Sequence, residues 1–302
     1  MTMGKPEAPV NLEIGGFLNI LKPPGMSSHD VIGFVRRVLH IKRVGHAGTL
    51  DPAAAGVLPI AVGQSARLIE YLELADKTYR AEVKFGLATD SGDDTGEIIE
   101  SQKDFVMPTA DQIGEVLKQF TGLITQVPPA HSAIKINGCR ACDLIREGKS
   151  VEIPSRKVTI HRLELLAQRR DNILIDTDCS KGTYIRSLCA DIGAALGIPA
   201  TMAFLVRRRV GDFCLEDALT LEEFQEKGAS ALLDPSDFLS HLERYDLNPL
   251  REKAFGNGLS SGVRQHIPRS ETLKVYANDK FIGIGRFDRS KMEVIPVKVL
   301  KH

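Results

Sequence analysis

The 302-residue sequence has no tryptophan, only five tyrosines and five cysteines, and no surplus of charge of either sign. Each shortage excludes something. Thirty-nine basic residues balance thirty-nine acidic ones, which argues against nonspecific coating of polyanions. The odd, irregularly spaced cysteines (Cys139, Cys142, Cys179, Cys189 and Cys214) read as reduced thiols, not as a disulfide framework. Cys139 and Cys142 make one C-x-x-C, but a structural zinc site needs four ligands and no second close pair follows. No metal is therefore expected. No run of about 18 apolar residues offers a membrane span, and "MTMGKPEAPVNLEIGG" lacks the apolar stretch of a secretory signal. The expectation is a cytoplasmic protein with no membrane partner.

What remains is ordinary globular composition, 43% hydrophobic and 26% charged, in a chain long enough for about two domains. The zero net charge hides a pattern. Residues 212–246 hold ten acidic and two basic side chains, whereas 247–302 hold eleven basic and five acidic. Residues 131–162 hold seven basic and three acidic, and "RVLHIKRVGH" and "LVRRRVG" are compact basic clusters. Local basic patches on a neutral background suit a partner with a phosphate backbone.

Hydrophobic periodicity predicts a strand at Phe17–Leu21, stopped by Pro23 and Pro24, then a helix capped by Ser27 or Ser28 with Val31, Ile32, Val35 and Leu39 on one face. "VLPIAVG" reads as a strand buried on both faces, "SARLIEYLELA" as a helix and "TYRAEVKFG" as an alternating strand. "LATDSGDDTGEI", with Asp90, Asp93 and Asp94, reads as a solvated loop. A helix at "TADQIGEVLKQFTG" precedes a proline-bounded insertion at about 126–154, read as a strand and a short helix. Two strands ("RKVTIHRLELLAQ", "NILIDTDCSKG"), a helix ("TYIRSLCADIGAALG") and another strand ("AFLVRRRVGDF") follow. An acidic helical connector leads to a tail of three short strands. The architecture expected is α+β to about residue 243, then a small β-rich module.

The chemistry centres on "GHAGTLDPAAAGVLPI". Asp51 is the only formally charged residue between Arg43 and Arg67. Asp before Pro is a common helix start, with the carboxylate as cap. Among small apolar neighbours, however, a desolvated carboxylate needs a partner. Arg186 in "CSKGTYIRSL" falls in the first turn of a helix, where the macrodipole disfavours a cation, and it lies off the apolar stripe. A carboxylate held by a guanidinium is a usable nucleophile. Two glycines in "GHAGTLDP" permit close approach of a ligand, and His46 adds a planar group. Tyr79 and Tyr184 could sandwich a planar ring if they face the same pocket.

Taken in order, "LNILKPPGMSSHDVI", "GHAGTLDPAAAGVLPIAVG", "KTYRAEVKFG", "CSKGTYIRSL" and "AFLVRRRVG" resemble the motif set of the bacterial tRNA pseudouridine-55 synthases, the TruB family. The resemblance spans about residues 16–215. It implies a pseudouridine-synthase fold, with a mixed, largely antiparallel central sheet flanked by helices and loops. A PUA-like RNA-binding module at 244–302 is suggested only by position, size and strand content.

The resemblance also implies isomerisation of uridine in the tRNA T-loop without cofactor or metal, by a monomer needing no protein partner. Asp51 would be the catalytic aspartate and Arg186 its salt-bridge partner. Tyr79 would stack on the target base and serve in late proton removal. His46 would hold the loop with its base flipped out, Tyr184 and Leu205 would complete the pocket, and Lys22 and Pro23 would pack beneath the active loop. A base must leave its stack before its glycosidic bond can be cut, and basic patches at 131–162, 206–209 and the C-terminal module would hold phosphates.

The chain departs from the pattern at His131, where tyrosine is usual, and at Cys139 and Cys142, where a basic–aromatic pairing is usual. Three alternatives remain open at this point: a noncatalytic RNA-binding or tRNA-folding protein with Asp51 as a cap, a guide-RNA-dependent relative needing partner subunits, and a two-carboxylate glycosidase-like enzyme.

Overall fold

The computed structural model describes residues 15–129, 135–136, 139–140, 153–263 and 266–300. His131, Cys142 and most of the 126–154 insertion lie outside the described residues, and with them the reading made there. The chain runs β1 (Gly15–Lys22), α1 (Ser28–Leu39), β2 (Val44–His46), β3 (Ala55–Gly63), α2 (Ile69–Leu72) and β4 (Lys77–Phe85). Next come β5 (Leu87–Thr89), β6 (Ile98–Ser101), α3 (Ala110–Gln119), β7 (Gly122–Gln126), β8 (Lys135–Ile136) and β9 (Cys139–Arg140). They are followed by β10 (Arg156–Gln168), β11 (Asn172–Cys179), α4 (Ile185–Ala195), β12 (Ala200–Val210), β13 (Phe213–Cys214) and α5 (Leu221–Lys227). The tail holds β14 (Glu243–Asp246), α6 (Glu252–Gly256), β15 (Ser261–Gly262), β16 (Thr272–Ala277), β17 (Lys280–Asp288) and β18 (Glu293–Val299).

The nine-stranded sheet has the order β1-β3-β12-β4-β11-β10-β7, with β2 beside β3 and β13 beside β12. β3 and β12 run parallel, and the other pairs in this sheet run antiparallel. β3 is buried along its whole length, as its unbroken apolar run requires. At Gly56, φ is +119° and an added Cβ would lie 2.2 Å from the Arg207 carbonyl oxygen. Only glycine lets β3 approach β12 there, and this contact sets the site.

α1 begins with Ser27 and Asp30 in a capping box and buries Val31, Ile32, Val35 and Leu39. α3 and α4 cover one face of the sheet over a core that includes Ala81, Val83, Ile113, Ile175, Leu188 and Ile192. The tail forms a five-stranded sheet, β14-β16-β17-β18-β15. Its β16–β17 turn carries positive φ at Asn278 and Asp279, the geometry that suits the twist of a tight hairpin. Phe281, Ile284 and Leu300 of the tail share one cluster with Phe17, Leu72, Val210 and Phe213, so this module is packed onto the first sheet.

Two expectations are corrected. "SARLIEYLELA" is not one helix but a 3-10 turn, Gln64–Leu68, followed by the single turn of α2. Lys77 Nζ donates to the carbonyls of Glu73 and Ala75 and so closes the segment. The loop around Asp93 is not simply solvated: β5 and β6 pair across it, and Thr89, Ser91 and Asp93 are buried.

Candidate active site

No helix starts at Asp51. A turn follows, with Ala54 N donating to Asp51 O at 3.1 Å, and β3 begins at Ala55. The turn is pinned through its backbone. Ser28, buried at the start of α1, uses its hydroxyl to accept from Leu50 N at 2.9 Å and donate to Leu50 O at 3.1 Å. Pro52 O accepts from Gly25 N at 2.8 Å and from Lys22 Nζ at 3.1 Å. Lys22 Nζ also donates to Pro23 O and Met26 O, at 2.9 and 2.6 Å. Lys22 is thus wholly buried, tying the end of β1 to the Asp51 turn. Burial draws its pKa down to about 8, against the opposite pull of Asp51.

Leu50 and Ala54 anchor the flanks of the turn in the same core as Leu205 and Ile185, and Tyr79 packs against that core. The shared core therefore brings the sequence-distant residues together. Arg186 Nε lies 3.1 Å from Asp51 Oδ2; the Arg186 side chain is 6% exposed and that of Asp51 38%. The expectation of a carboxylate walled off from water is corrected: the arginine is buried and the carboxylate is partly exposed. Arg186 Nη1 also donates to Ser91 O at 2.8 Å and lies 3.8 Å from Asp93 Oδ2. Gly92, at φ +75°, sits so close that a Cβ would lie 3.4 Å from Arg186 Cβ.

Tyr79 lies directly across the β4–β12 pair from Arg207, and Leu205 across from Ala81, so Tyr79 and Leu205 bound the same stretch of core. Burial pushes the Tyr79 phenol up, and Arg207 beside it pulls the other way. Arg207 is almost wholly buried and fully engaged. Its guanidinium donates to Val57 O at 2.8 Å, Thr49 O at 3.2 Å and Gly48 O at 3.0 Å, and burial lowers its pKa. His46, half-buried on β2, has its pKa lowered by burial, then by Arg207 and His29. Its Nδ1 is buried without a hydrogen-bond partner.

Tyr184 caps α4 by its backbone only: Gln126, buried on β7, accepts from Tyr184 N at 2.8 Å and donates to Tyr184 O at 3.0 Å. The Tyr184 ring lies under the Arg156 guanidinium, 4.4 Å from its centroid.

The structure thus gathers Asp51, Arg186, Tyr79, Leu205 and Lys22 and places His46 near Arg207, whereas the Tyr184 ring packs on Arg156. Sequence reasoning missed Ser28 as a backbone clamp, and also Asp93, Arg156, Gln126 and Arg207. "LVRRRVG" was expected to hold phosphates, and for Arg207 that reading is corrected. Arg207 is internal, Arg208 pairs with Asp176 at 3.0 Å, and Arg209 Nε donates to Thr78 Oγ1 at 3.0 Å. The only signal available was alternation, which assigns every second arginine of a strand to the covered face. Among the described residues no group of three or more His, Cys, Asp or Glu side chains could hold a metal ion. Nor is any helix among them long and apolar enough to cross a membrane.

A solved Cbf5–Nop10–Gar1 complex has a chain with the same architecture (TM-score 0.73, 25% identity, covering 96% of this chain and 85% of that one). A chain of an H/ACA ribonucleoprotein bound to a substrate RNA containing 2′-deoxyuridine matches with TM-score 0.74 at 24% identity, covering 96% and 86%. The class is that of the α+β pseudouridine synthases with a β-rich C-terminal module. A model of the TruB family pseudouridylate synthase N-terminal domain matches residues 36–185, and one of the tRNA pseudouridylate synthase B C-terminal domain matches 186–243. The tRNA pseudouridine synthase B of Caldanaerobacter subterraneus subsp. tengcongensis is 42% identical over 283 residues, 93% of this chain and 98% of that one. That of Heliobacterium mobile is 46% identical over 256 residues, 83% of each. The chain belongs to the TruB family of pseudouridylate synthases.

Proposed function

We propose that the chain converts uridine to pseudouridine at position 55 in the T-loop of tRNA, acting on a flipped-out base with Asp51 as nucleophile. The observation that carries this reading is the 3.1 Å pairing of half-open Asp51 with buried Arg186, beside the core that Tyr79 and Leu205 bound. The base enters flat against Tyr79, which offsets part of the few kcal/mol that extrusion costs. His46, whose partial burial favours the neutral imidazole, holds the loop from which the base has swung, and Tyr184 and Leu205 complete the slot. Lys22 and Pro23 support the turn from beneath.

Asp51 adds to the nucleotide and the N1–C1′ bond breaks; the base turns, C5 bonds to C1′ and the bond to Asp51 is released, and the proton lost from C5 is balanced by one taken up at N1. The product is an isomer of the substrate, so no redox equivalent or co-substrate enters. Burial keeps Tyr79 a neutral phenol in the free protein, and Arg207 beside it favours the phenolate as a proton is exchanged.

Residues 1–243 form the catalytic domain on this reading, with the 126–154 insertion and the 244–302 module as RNA-contacting parts. The protein works as a cytoplasmic monomer without metal, cofactor or protein partner. The test is mapping of pseudouridine in a bare T-arm RNA, by a carbodiimide adduct that survives alkali on pseudouridine but not on uridine, after incubation with purified protein. Wild type alone is expected to yield pseudouridine, and Asp51→Asn to bind the RNA while losing about 10⁴-fold in rate, about 5 kcal/mol of transition-state stabilisation. Unchanged product formation by Asp51→Asn would exclude the nucleophile. A requirement for added protein would exclude stand-alone action.

A further inference from the structure

We propose that the basic edge formed by the end of α1 and the turn into β2 (Arg36, Arg37, His40, Lys42 and Arg43) is the surface that takes the sugar–phosphate backbone of the RNA arm. The proposal rests on the reading of tRNA as substrate and adds which surface grips it.

The sequence offers two compact basic clusters of similar appearance, and the structure treats them in opposite ways. The arginines of β12 are already committed. Arg207 is buried against three carbonyls. Arg208 pairs with Asp176 and Glu216, and Arg209 lies 3.8 Å from Asp178. Arg80 and Arg162 add to the same lattice of charges. A guanidinium already matched to a carboxylate has little to gain from a phosphate.

At the other cluster all five side chains are exposed. None forms an ion pair among the described residues, and no Asp or Glu occurs between Val31 and Leu50. Two of them are nonetheless held in place. Arg36 Nη2 donates to Val44 O at 3.3 Å, and the Arg37 guanidinium lies over the Phe34 ring at 5.8 Å. An acid-free, ordered cationic edge suits a repeating anion.

Its position relates it to the site. β2 runs on from Arg43 to His46, and at about 3.3 Å per strand residue Arg43 lies roughly 10 Å from His46. On its other side β2 packs on α2, since a Cβ on Gly45 would meet Ile69 Cδ1 at 2.6 Å. The segment of Arg67 and Glu70 in turn holds the basic C-terminal module, through Arg67 Nη1 to Val299 O at 2.7 Å and Lys298 to Glu70 at 2.9 Å. The free edge and the module therefore flank one common support.

The experiment compares full-length wild type, the triple variant R37Q/K42Q/R43Q and R208Q, using a T-arm stem–loop RNA across a salt series. The triple variant is expected to reduce the slope of log Kd against log salt by roughly 2–3 and to weaken binding about tenfold or more near 0.1 M salt. KM rises far more than kcat falls, and thermal unfolding is unchanged. R208Q is expected to leave the slope alone and to lower the unfolding temperature.

An unchanged slope in the triple variant, or a defect confined to kcat, overturns the proposal. So does a triple variant that binds RNA normally but loses binding to vesicles of anionic phospholipid. RNA gripped in this patch-dependent way but never isomerised by wild type would refute the reaction and leave the surface standing. Normal isomerisation with an unchanged slope would do the reverse.

Discussion

The turn that carries Asp51 and the loop that carries Asp93 bring two carboxylates to one guanidinium, and they are built differently. Asp93 is fixed by its own side chain: Oδ1 accepts from Ser91 Oγ at 2.9 Å, Thr95 N at 3.1 Å and Thr95 Oγ1 at 2.6 Å. Its side chain is 10% exposed, and its other oxygen faces Arg186 at 3.8 Å. Asp51 is fixed by its backbone neighbours, through Lys22, Ser28, Gly25 and Arg207. Its carboxylate stays partly exposed. A carboxylate saturated with donors is a counter-charge. One whose chain is clamped while its oxygens stay accessible suits the nucleophile proposed above.

This contrast can be broken or sharpened by four measurements, the largest effect first. Replacing Arg186 by methionine leaves both carboxylates without their guanidinium. Turnover should fall by about 10³-fold or more, with a loss of about 3 kcal/mol in urea unfolding, since stranding the buried partner of an ion pair is costly. Arg207→Met should cost about 2–3 kcal/mol of stability through its stranded carbonyls and slow turnover about 100-fold by loosening the turn. Asp93→Asn should cost about 1–2 kcal/mol and about tenfold in kcat with KM nearly unchanged. The contrast with Asp51→Asn, expected to lose about 10⁴-fold in rate, is the sharpest form of the comparison. If Asp93→Asn abolished turnover and Asp51→Asn did not, the two roles would be exchanged.

The smallest effect concerns pH. Burial holds the pKa of His46 below its ordinary 6.5, so as pH falls the unfolded chain takes up this proton before the folded one does. The associated stability is complete above 6.5 and is lost as pH drops through the lower folded value. His46→Asn should flatten that part of the stability profile, measured by urea unfolding between pH 5 and 7.

Much of this was legible in the residues. The capping serine of α1, the doubly buried β3, the antiparallel β10–β11 pair and the apolar face of α4 follow from periodicity and cap chemistry. Asp51 and Arg186 stood out because each violated a local rule: a lone charge in an apolar stretch, and a cation at the positive end of a helix. The supporting parts broke no such rule. Ser28 looked like a spare cap, Asp93 like one more acid in a polar loop, and Arg207 like the middle of a basic run. Their roles depend on partners 22 to 159 residues away. Long-range hydrogen bonds leave no periodic trace, whereas apolar burial does. Just beyond the short α2, Lys77 reaches back to the Glu73 and Ala75 carbonyls, a contact that propensity does not register.

Arg207 fastens the Gly48–Thr49 carbonyls of the turn and stands beside the Tyr79 hydroxyl of the slot. One rivet therefore joins the two halves of the pocket. Neither half can be resized alone, so the chemistry is frozen as a unit. On the proposed function, divergence toward new RNA targets would fall to the outer surfaces, away from this joint.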